Sequence, residues 1–393
     1  MGTEVRNEEA ECPTCRLDEE FLRRRSRPAY EEGTARIRIV DLFCGCGGMT
    51  LGAAEGARRL GMASEVALAV DNDPDAVRVF RANFPTGRVI ESDVCNLFEG
   101  QLGSPPTQKE RRLATEIGPV DLLLSGAPCQ GHSDLNNHTR RRDPRNRLYL
   151  QAARAVQVLK PSFILLENVP AVQHDSTGVI DATRNALEAC DYVPACRVIN
   201  LGDLGIPQTR KRHFLLAARP GLGNPEMLLA FTSSCAGHLP RSVWWAIGDL
   251  EDAEPGTMLD TPSAPSPDNV KRIRWLFEKN VWDLPNDQRP PCHHGNHSYR
   301  SMYGRLWWDR PAQTITTGFG SMGQGRYVHP SRPRTLTPHE AARLQTFPDF
   351  FNFEAVRSRS ALARLVGNAV PPLATLQLVA RLLANLNRRD SST

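Results

Sequence analysis

The chain has 393 residues, 40% of them hydrophobic, which suffices for one large core and a second, smaller domain and excludes a wholly disordered protein. No apolar run is long enough to cross a bilayer, and the first residues lack a basic segment followed by an apolar one, so a cytoplasmic protein without membrane contact is expected. Ten cysteines are too dilute for a disulfide scaffold, and the net charge of +4 matters less than its clustering at Arg23, Arg24 and Arg25 and again across Arg140, Arg141, Arg142, Arg145 and Arg147.

Residues 1 to 35 are polar and irregular and read as a flexible tail. Cys12 and Cys15 have the spacing of half a metal site, but no nearby pair completes it, which favours free thiols. Arg36 to Phe43 reads as a first strand, and Cys44-Gly45-Cys46-Gly47-Gly48 as a glycine-rich turn entering a helix. Such glycines admit a ligand to the backbone, and the missing Lys-Ser or Lys-Thr argues against a nucleoside-triphosphate loop. A second strand, Val66 to Val70, ends at Asp71-Asn72, where an acidic side chain is placed to accept from ribose hydroxyls. A helix follows over residues 75–84. A third strand then leads to Ser92-Asp93-Val94, with Asp93 in reach of an adenine edge.

The pattern repeats at Val120 to Gly126 and at Ser162 to Glu167. Apolar strands alternating with helical segments predict an α/β fold with a doubly wound, mostly parallel sheet. The fourth strand halts at Pro128 and presents Cys129, just beyond the carboxyl end of a sheet strand, where reactive groups are commonly carried. The arginine cluster begins only a few residues later, so a polyanion could be held close to this thiol. Glu167 ends a core-like run; a carboxylate there is paired, protonated or functional, because burying it alone is expensive. Period-two alternation puts Gln208, Arg210 and Arg212 on one face of a following strand, with Arg210 and Arg212 available to anchor Glu167 or a phosphate. From about 220 to 330 proline, glycine and interleaved aromatic and basic residues predict a second domain with long loops. Cys292, His293, His294 and His297 do not follow a standard metal spacing, and no metal is expected. Compact packing resumes at 335–350, and Val366 to Pro372 precedes a closing helix through about Leu386.

This ordered set resembles the DNA (cytosine-5) methyltransferase family, of the prokaryotic restriction-modification type. The matching stretches are Asp41 to Gly48, Pro128 to Gly131, Glu167-Asn168-Val169, Gln208 to Arg212, Arg343 to Pro348 and Gly367 to Val370, in the family's order over roughly residues 37 to 385. The resemblance implies a cofactor-binding and catalytic domain at 36–219 and a target-recognition domain at 220–330. A segment at 331–387 would return to the first domain, leaving a tail at 388–393. S-adenosyl-L-methionine is the implied cofactor, held by Phe43, Gly45, Gly47, Gly48, Asp71, Asn72, Asp93, Val94, Pro128, Asn368 and Val370.

The resemblance also implies how the chemistry runs. Cys129 adds to C6 of a flipped cytosine and makes C5 electron-rich, Glu167 holds N3 and the exocyclic amine, and Arg210 and Arg212 complete the catalytic set. Residues 131–147 fit a mobile loop over the base. Gln130, His132, Ser133, Arg140, Arg141, Arg142, Arg145, Gln208 and Thr316 are the expected DNA contacts. His132 departs from the phenylalanine frequent at that place in the family, which bears on loop packing rather than on methyl transfer. Double-stranded DNA is the expected partner of a monomer, with a restriction endonuclease acting on the same sequence without a stable complex. An RNA cytosine-5 methyltransferase shares this catalytic core but lacks the expected match here, since no Cys-Phe-Thr element is present in the recognition region. A silent DNA-binding scaffold would tolerate loss of Cys129, Glu167 or Arg212, all of which are retained.

Overall fold

The computed structural model describes residues 9, 11–128, 148–234, 241–294 and 301–390. In chain order, helix α1 (Pro13–Leu22) precedes β1 (Ala35–Leu42), α2 (Gly48–Arg59), β2 (Met62–Asp71), α3 (Pro74–Asn83), β3 (Val89–Glu91), α4 (Val94–Leu97) and α5 (Gln108–Ile117). β4 (Leu122–Ser125), α6 (Leu148–Leu159), β5 (Phe163–Asn168), α7 (Val179–Glu188), β6 (Val193–Asn200), β7 (Lys211–Ala218) and α8 (Pro225–Ser234) follow. The remaining helices are α9 (Val243–Ile247), α10 (Pro267–Glu278), α11 (Pro338–Leu344), α12 (Arg359–Asn368) and α13 (Pro372–Asp390). The chain divides into two compact units: a sheet unit of residues 28–200, 211–236 and 370–393, and a loop-rich unit of residues 1–27, 201–210 and 237–369.

Among the described residues, the sheet unit carries seven strands in the order β3-β2-β1-β4-β5-β7-β6. β1 to β5 run parallel, and β7 is inserted antiparallel between β5 and β6. The fold is therefore the α/β, mostly parallel architecture expected. Strand order reverses between β1 and β4, and the crevice beyond the carboxyl ends of two such strands is where open α/β sheets take ligands. Leu122, Leu123 and Leu124 of β4 and Phe163 to Leu166 of β5 are at most 1% exposed, which explains why these central strands read as uninterrupted apolar runs. β6 has no counterpart in the sequence reading. It is an edge strand, and Pro194 is tolerated there although it weakens the strand signal.

Helix α2 enters through Gly47 at φ 98°, and a Cβ on that residue would lie 2.7 Å from the Phe84 ring. Glycine is thus required both by the left-handed backbone and by the phenylalanines packed on it. α13 crosses α2 so closely that a Cβ on Gly52 would sit 2.1 Å from the Pro372 carbonyl oxygen.

In the loop-rich unit, residues 13–22 differ from the expected tail. Cys12 caps α1, Pro13 presets its first turn, and Cys15, Asp18, Phe21 and Leu22 are buried. The helix is hidden in the sequence because its inward face includes an acid, Asp18, which pairs with Arg241 at 2.6 Å. Among the described residues, five buried arginines organise this unit: Arg210, Arg241, Arg305, Arg326 and Arg343. Arg343 binds Asp249 and Asp349, whereas Arg305 stacks over the Phe277 and Trp282 rings.

Candidate active site

The glycine-rich turn after β1 is held open by backbone conformation. Phe43, Gly45 and Gly47 all have positive φ, at 55°, 54° and 98°, and a Cβ on Gly45 would meet nothing within 4 Å. The Asp71 carboxylate at the end of β2 accepts from the amides of Gly45 at 2.8 Å and Asp73 at 2.9 Å, tying the second strand end to the turn. Burial raises the Asp71 carboxyl above its usual range, against the pull of those two amides. Asn72 beside it is exposed. Asp93 caps α4 by accepting from Cys95 N at 2.8 Å, with Val94 buried behind it. Gly48 begins α2, and Phe43 packs half-buried against the main core.

Sequence reasoning misses Asp41 as a site residue, although it lies within the first motif. Its carboxylate is fully buried beneath the turn, accepts from the Thr50 hydroxyl at 2.6 Å, and has one oxygen with no partner among the described residues. Burial pushes this carboxyl up to about 7, opposed by the Thr50 hydroxyl. The only sequence signal is an acid at an inward strand position.

β4 leads to Pro128, which is half-buried. Cys129, Gln130, His132, Ser133, Arg140, Arg141, Arg142 and Arg145 lie outside the described residues. In register, Ser125 of β4 stands opposite Leu166 of β5, so the segment running to Pro128 leaves the sheet beside Glu167. Glu167 in turn faces Phe214 of β7. Arg212, two residues before Phe214, is its diagonal neighbour on the same face of the sheet. The contact follows directly: Arg212 Nε donates to Glu167 Oε1 at 2.7 Å, with side-chain exposures of 13% and 10%. On the opposite face, Asn168 pairs with His213, whose buried ring is pushed down to about 4 by desolvation and is neutral.

Gln208 and Arg210 depart from the expected strand face. β7 starts only at Lys211, and residues 201–210 belong to the loop-rich unit. Gln208, expected among the DNA contacts, is buried: its amide nitrogen donates to Leu344 O and Gln345 Oε1, and its oxygen accepts from Ile315 N. Arg210, expected beside Arg212, directs its guanidinium to the carbonyls of Ile315, Gly367 and Ala369. Both side chains therefore act as struts within their unit.

Thr316 is half-buried in the same unit, its hydroxyl 2.9 Å from that of Tyr327. Its backbone passes so near Gly367 that a Cβ there would come within 2.5 Å of Thr316 C. Asn368 is exposed at the end of α12, and Val370 is buried where the chain returns to the sheet unit. No group of metal-binding side chains occurs among the described residues.

A family model for C-5 cytosine-specific DNA methylases matches residues 37–384. The chain belongs to that family. Membership makes it an S-adenosylmethionine-dependent DNA cytosine-5 methyltransferase, with the motifs above in the family's order. This methylase is 44% identical over 355 residues to the Type II methyltransferase M1.BsuMI of Bacillus subtilis, covering 90% of this chain and 82% of that one. The Type II methylase M.HgiDII of Herpetosiphon aurantiacus is 31% identical, over 85% and 91% of the two chains. Among solved structures, a prophage-encoded Escherichia coli protein described as a DNA modification methyltransferase superposes with a TM-score of 0.61 and 25% identity, covering 89% of this chain and 99% of that one. Schizosaccharomyces pombe Dnmt2 shares the fold at a TM-score of 0.63 and 17% identity, covering 90% of this methylase and all of that chain.

Proposed function

We propose that the methylase modifies C5 of a cytosine flipped out of a specific double-stranded DNA sequence, through a covalent bond between Cys129 and C6. The observation that carries this reading is the Glu167–Arg212 pair, held at the end of β5 next to β4, the strand whose following segment leads to Pro128. Cytosine C5 is a poor nucleophile. Addition of the Cys129 thiolate to C6 moves electron density to C5, and Glu167, held by Arg212, accepts from the exocyclic amine and holds a proton at N3, offsetting charge in the ring. Once C5 carries the transferred methyl group, its proton passes to water, the electron pair of that C–H bond restores the C5–C6 double bond, and the thiolate leaves C6. A stacked base admits no such attack, which is why flipping belongs to the reaction.

The residues around the β1 turn fit the cofactor. The positive-φ turn leaves open space at Gly45, the first amides of α2 have no side-chain cap, and Asp71 and Asp93 supply carboxylates at neighbouring strand ends. Phe43, Gly45, Gly47, Gly48, Asp71, Asn72, Asp93, Val94, Pro128, Asn368 and Val370 would hold S-adenosylmethionine, which when bound supplies an electrophilic methyl group. Gln130, His132, Ser133, the arginines at 140–142 and 145, and Thr316 would meet the DNA. The sheet unit would carry catalysis and the loop-rich unit target recognition.

The likeness to Type II enzymes supports a restriction-modification setting, in which we place the methylase as a cytoplasmic monomer whose companion endonuclease cuts the same sequence without forming a stable complex. Bisulfite sequencing of unmodified DNA incubated with enzyme and S-adenosylmethionine tests the reading. Protected cytosines in one recurring context are expected; protection absent from DNA but present in RNA would overturn it. DNA carrying a fluorinated cytosine in that context should become covalently trapped at Cys129, and trapping at another residue would reassign the nucleophile.

A further inference from the structure

The sequence Cys12-Pro13-Thr14-Cys15 is not used by methyl transfer, and it forms a built site in the loop-rich unit. Cys12 is the N-cap of the ten-residue helix α1, and its sulfur accepts from Cys15 N at 3.4 Å. Cys12 is half-buried, whereas Cys15 is 2% exposed. A helix N-terminus favours a thiolate, but a second feature points the same way. Arg241 is 1% exposed, and a Cβ on Gly205 would lie 2.9 Å from its Cζ. One nitrogen reaches Asp18 at 2.6 Å, while Nε and Nη1 have no hydrogen-bond partner among the described residues. The cation's field falls on both sulfurs, and Trp245, beneath the guanidinium at 4.5 Å, donates to Cys15 O at 3.4 Å.

We propose that Cys12 and Cys15 are a redox-active dithiol that reacts with low-molecular-weight disulfides and closes to an intramolecular disulfide. The Cys12 thiolate attacks one sulfur of the incoming disulfide, forming a mixed disulfide and releasing one thiolate. Cys15 gives its proton to that thiolate, and Arg241 offsets the charge left on its sulfur. Cys15 then attacks the Cys12 sulfur, closing the ring and expelling the second thiolate, which takes a proton from water. The two protein thiols are oxidised, and the incoming disulfide is reduced to two thiols.

The half-buried N-cap position of Cys12 and the burial of Cys15 divide these roles, and the acidities agree. Burial pushes both thiols up, but hydrogen bonds from the Cys15 thiol and from backbone amides bring Cys12 below its ordinary value, whereas burial and the Cys12 contact push Cys15 up to about 11. Cys12 is the attacking sulfur and Cys15 the resolving one.

The test uses the full reduced chain, limiting iodoacetamide at pH 7 and peptide mass spectrometry, with exposed Cys292 as internal reference. Cys12 should be alkylated about tenfold faster than Cys292. With oxidised glutathione, the peptide holding residues 12 and 15 should lose two hydrogens and retain no glutathione. In Cys15→Ser, Cys12 should instead keep one glutathione moiety. Equal alkylation of Cys12 and Cys292, or stable glutathione on Cys12 of the unaltered protein, would overturn the proposal.

Discussion

Arg212 and Glu167 meet at 2.7 Å because β7 runs antiparallel to β5, making the arginine the diagonal neighbour of the carboxylate on one sheet face. The pair stands about nine-tenths buried at a strand end, where an unpaired carboxylate would be costly, so each residue depends on the other. Glu167→Gln keeps the shape and removes the charge. A severe loss of the single-turnover methyl-transfer rate is expected, at least about 100-fold, with DNA binding retained. Arg212→Ala should lose rate as well and also destabilise the fold by about 3 kcal/mol, since it leaves a buried charge uncompensated. An unchanged single-turnover rate in Glu167→Gln would remove the carboxylate from the reaction.

Cys129→Ser tests the nucleophile separately from the cofactor turn. Turnover should vanish almost entirely, because a serine hydroxyl is scarcely ionised near neutral pH. Calorimetric titration with S-adenosylmethionine should give nearly the wild-type affinity, since the turn, Asp71 and Asp93 lie at the ends of β1, β2 and β3. Equal turnover by the serine variant would exclude Cys129 as nucleophile.

Gly52→Ala should destabilise the protein by about 1–3 kcal/mol, read from the midpoint of urea unfolding. The added methyl would overlap the Pro372 carbonyl at 2.1 Å, and neither helix backbone can yield locally. Gly45→Ala provides the contrast. Its Cβ meets nothing within 4 Å, so only the left-handed φ of 54° opposes it, at about 1–2 kcal/mol.

His339 donates from both ring nitrogens, to Asp260 at 2.8 Å and to Asp349 at 2.9 Å, which requires the imidazolium form. Burial lowers its pKa, but the hydrogen bonds to Asp349 and Asp260 outweigh that and raise it above 6.5. This stabilisation is fully present below about pH 6.5 and is lost as pH rises through the raised folded value. Asp349 responds at the other end. Burial raises it, the bonds from His339 and Arg343 prevail, and it falls to about 2, so its contribution holds above about 3.8 and disappears as pH drops toward 2. His339→Gln should cost about 1–3 kcal/mol at pH 5, and the gap to wild type should narrow above neutrality. An equal gap at pH 5 and pH 9 would mean that the ring is not charged.

Neutralising Arg140, Arg141 and Arg142 should weaken DNA binding and flatten its dependence on salt, by about 0.9 in log–log slope for each phosphate that no longer meets a cation. Fluorescence anisotropy with a labelled duplex over a salt series reads this directly. A slope unchanged from wild type would return the cluster to ordinary solvated surface.

The βα alternation was legible in the chain because its signals are local: apolar runs of strand length, helical periodicity, glycine turns and acids at strand ends. Those signals located β1 to β5 within a residue or two, apart from the earlier start of β2, and brought Asp71, Asp93 and Glu167 to strand ends in sequence as in space. The family motifs likewise consist of neighbouring residues and needed no fold to be read. Pairing between distant segments was not legible. Gln208, Arg210 and Arg212 look equivalent at period two, yet only Arg212 is on β7; the other two are struts of the loop-rich unit, because the strand begins at Lys211. The buried N-terminal helix was hidden for the same reason, since Asp18 makes sense on an inward face only once Arg241, more than half the chain away, is placed against it. A polar residue's cost of burial depends on the partner that packing supplies, and that partner is decided by the tertiary structure alone.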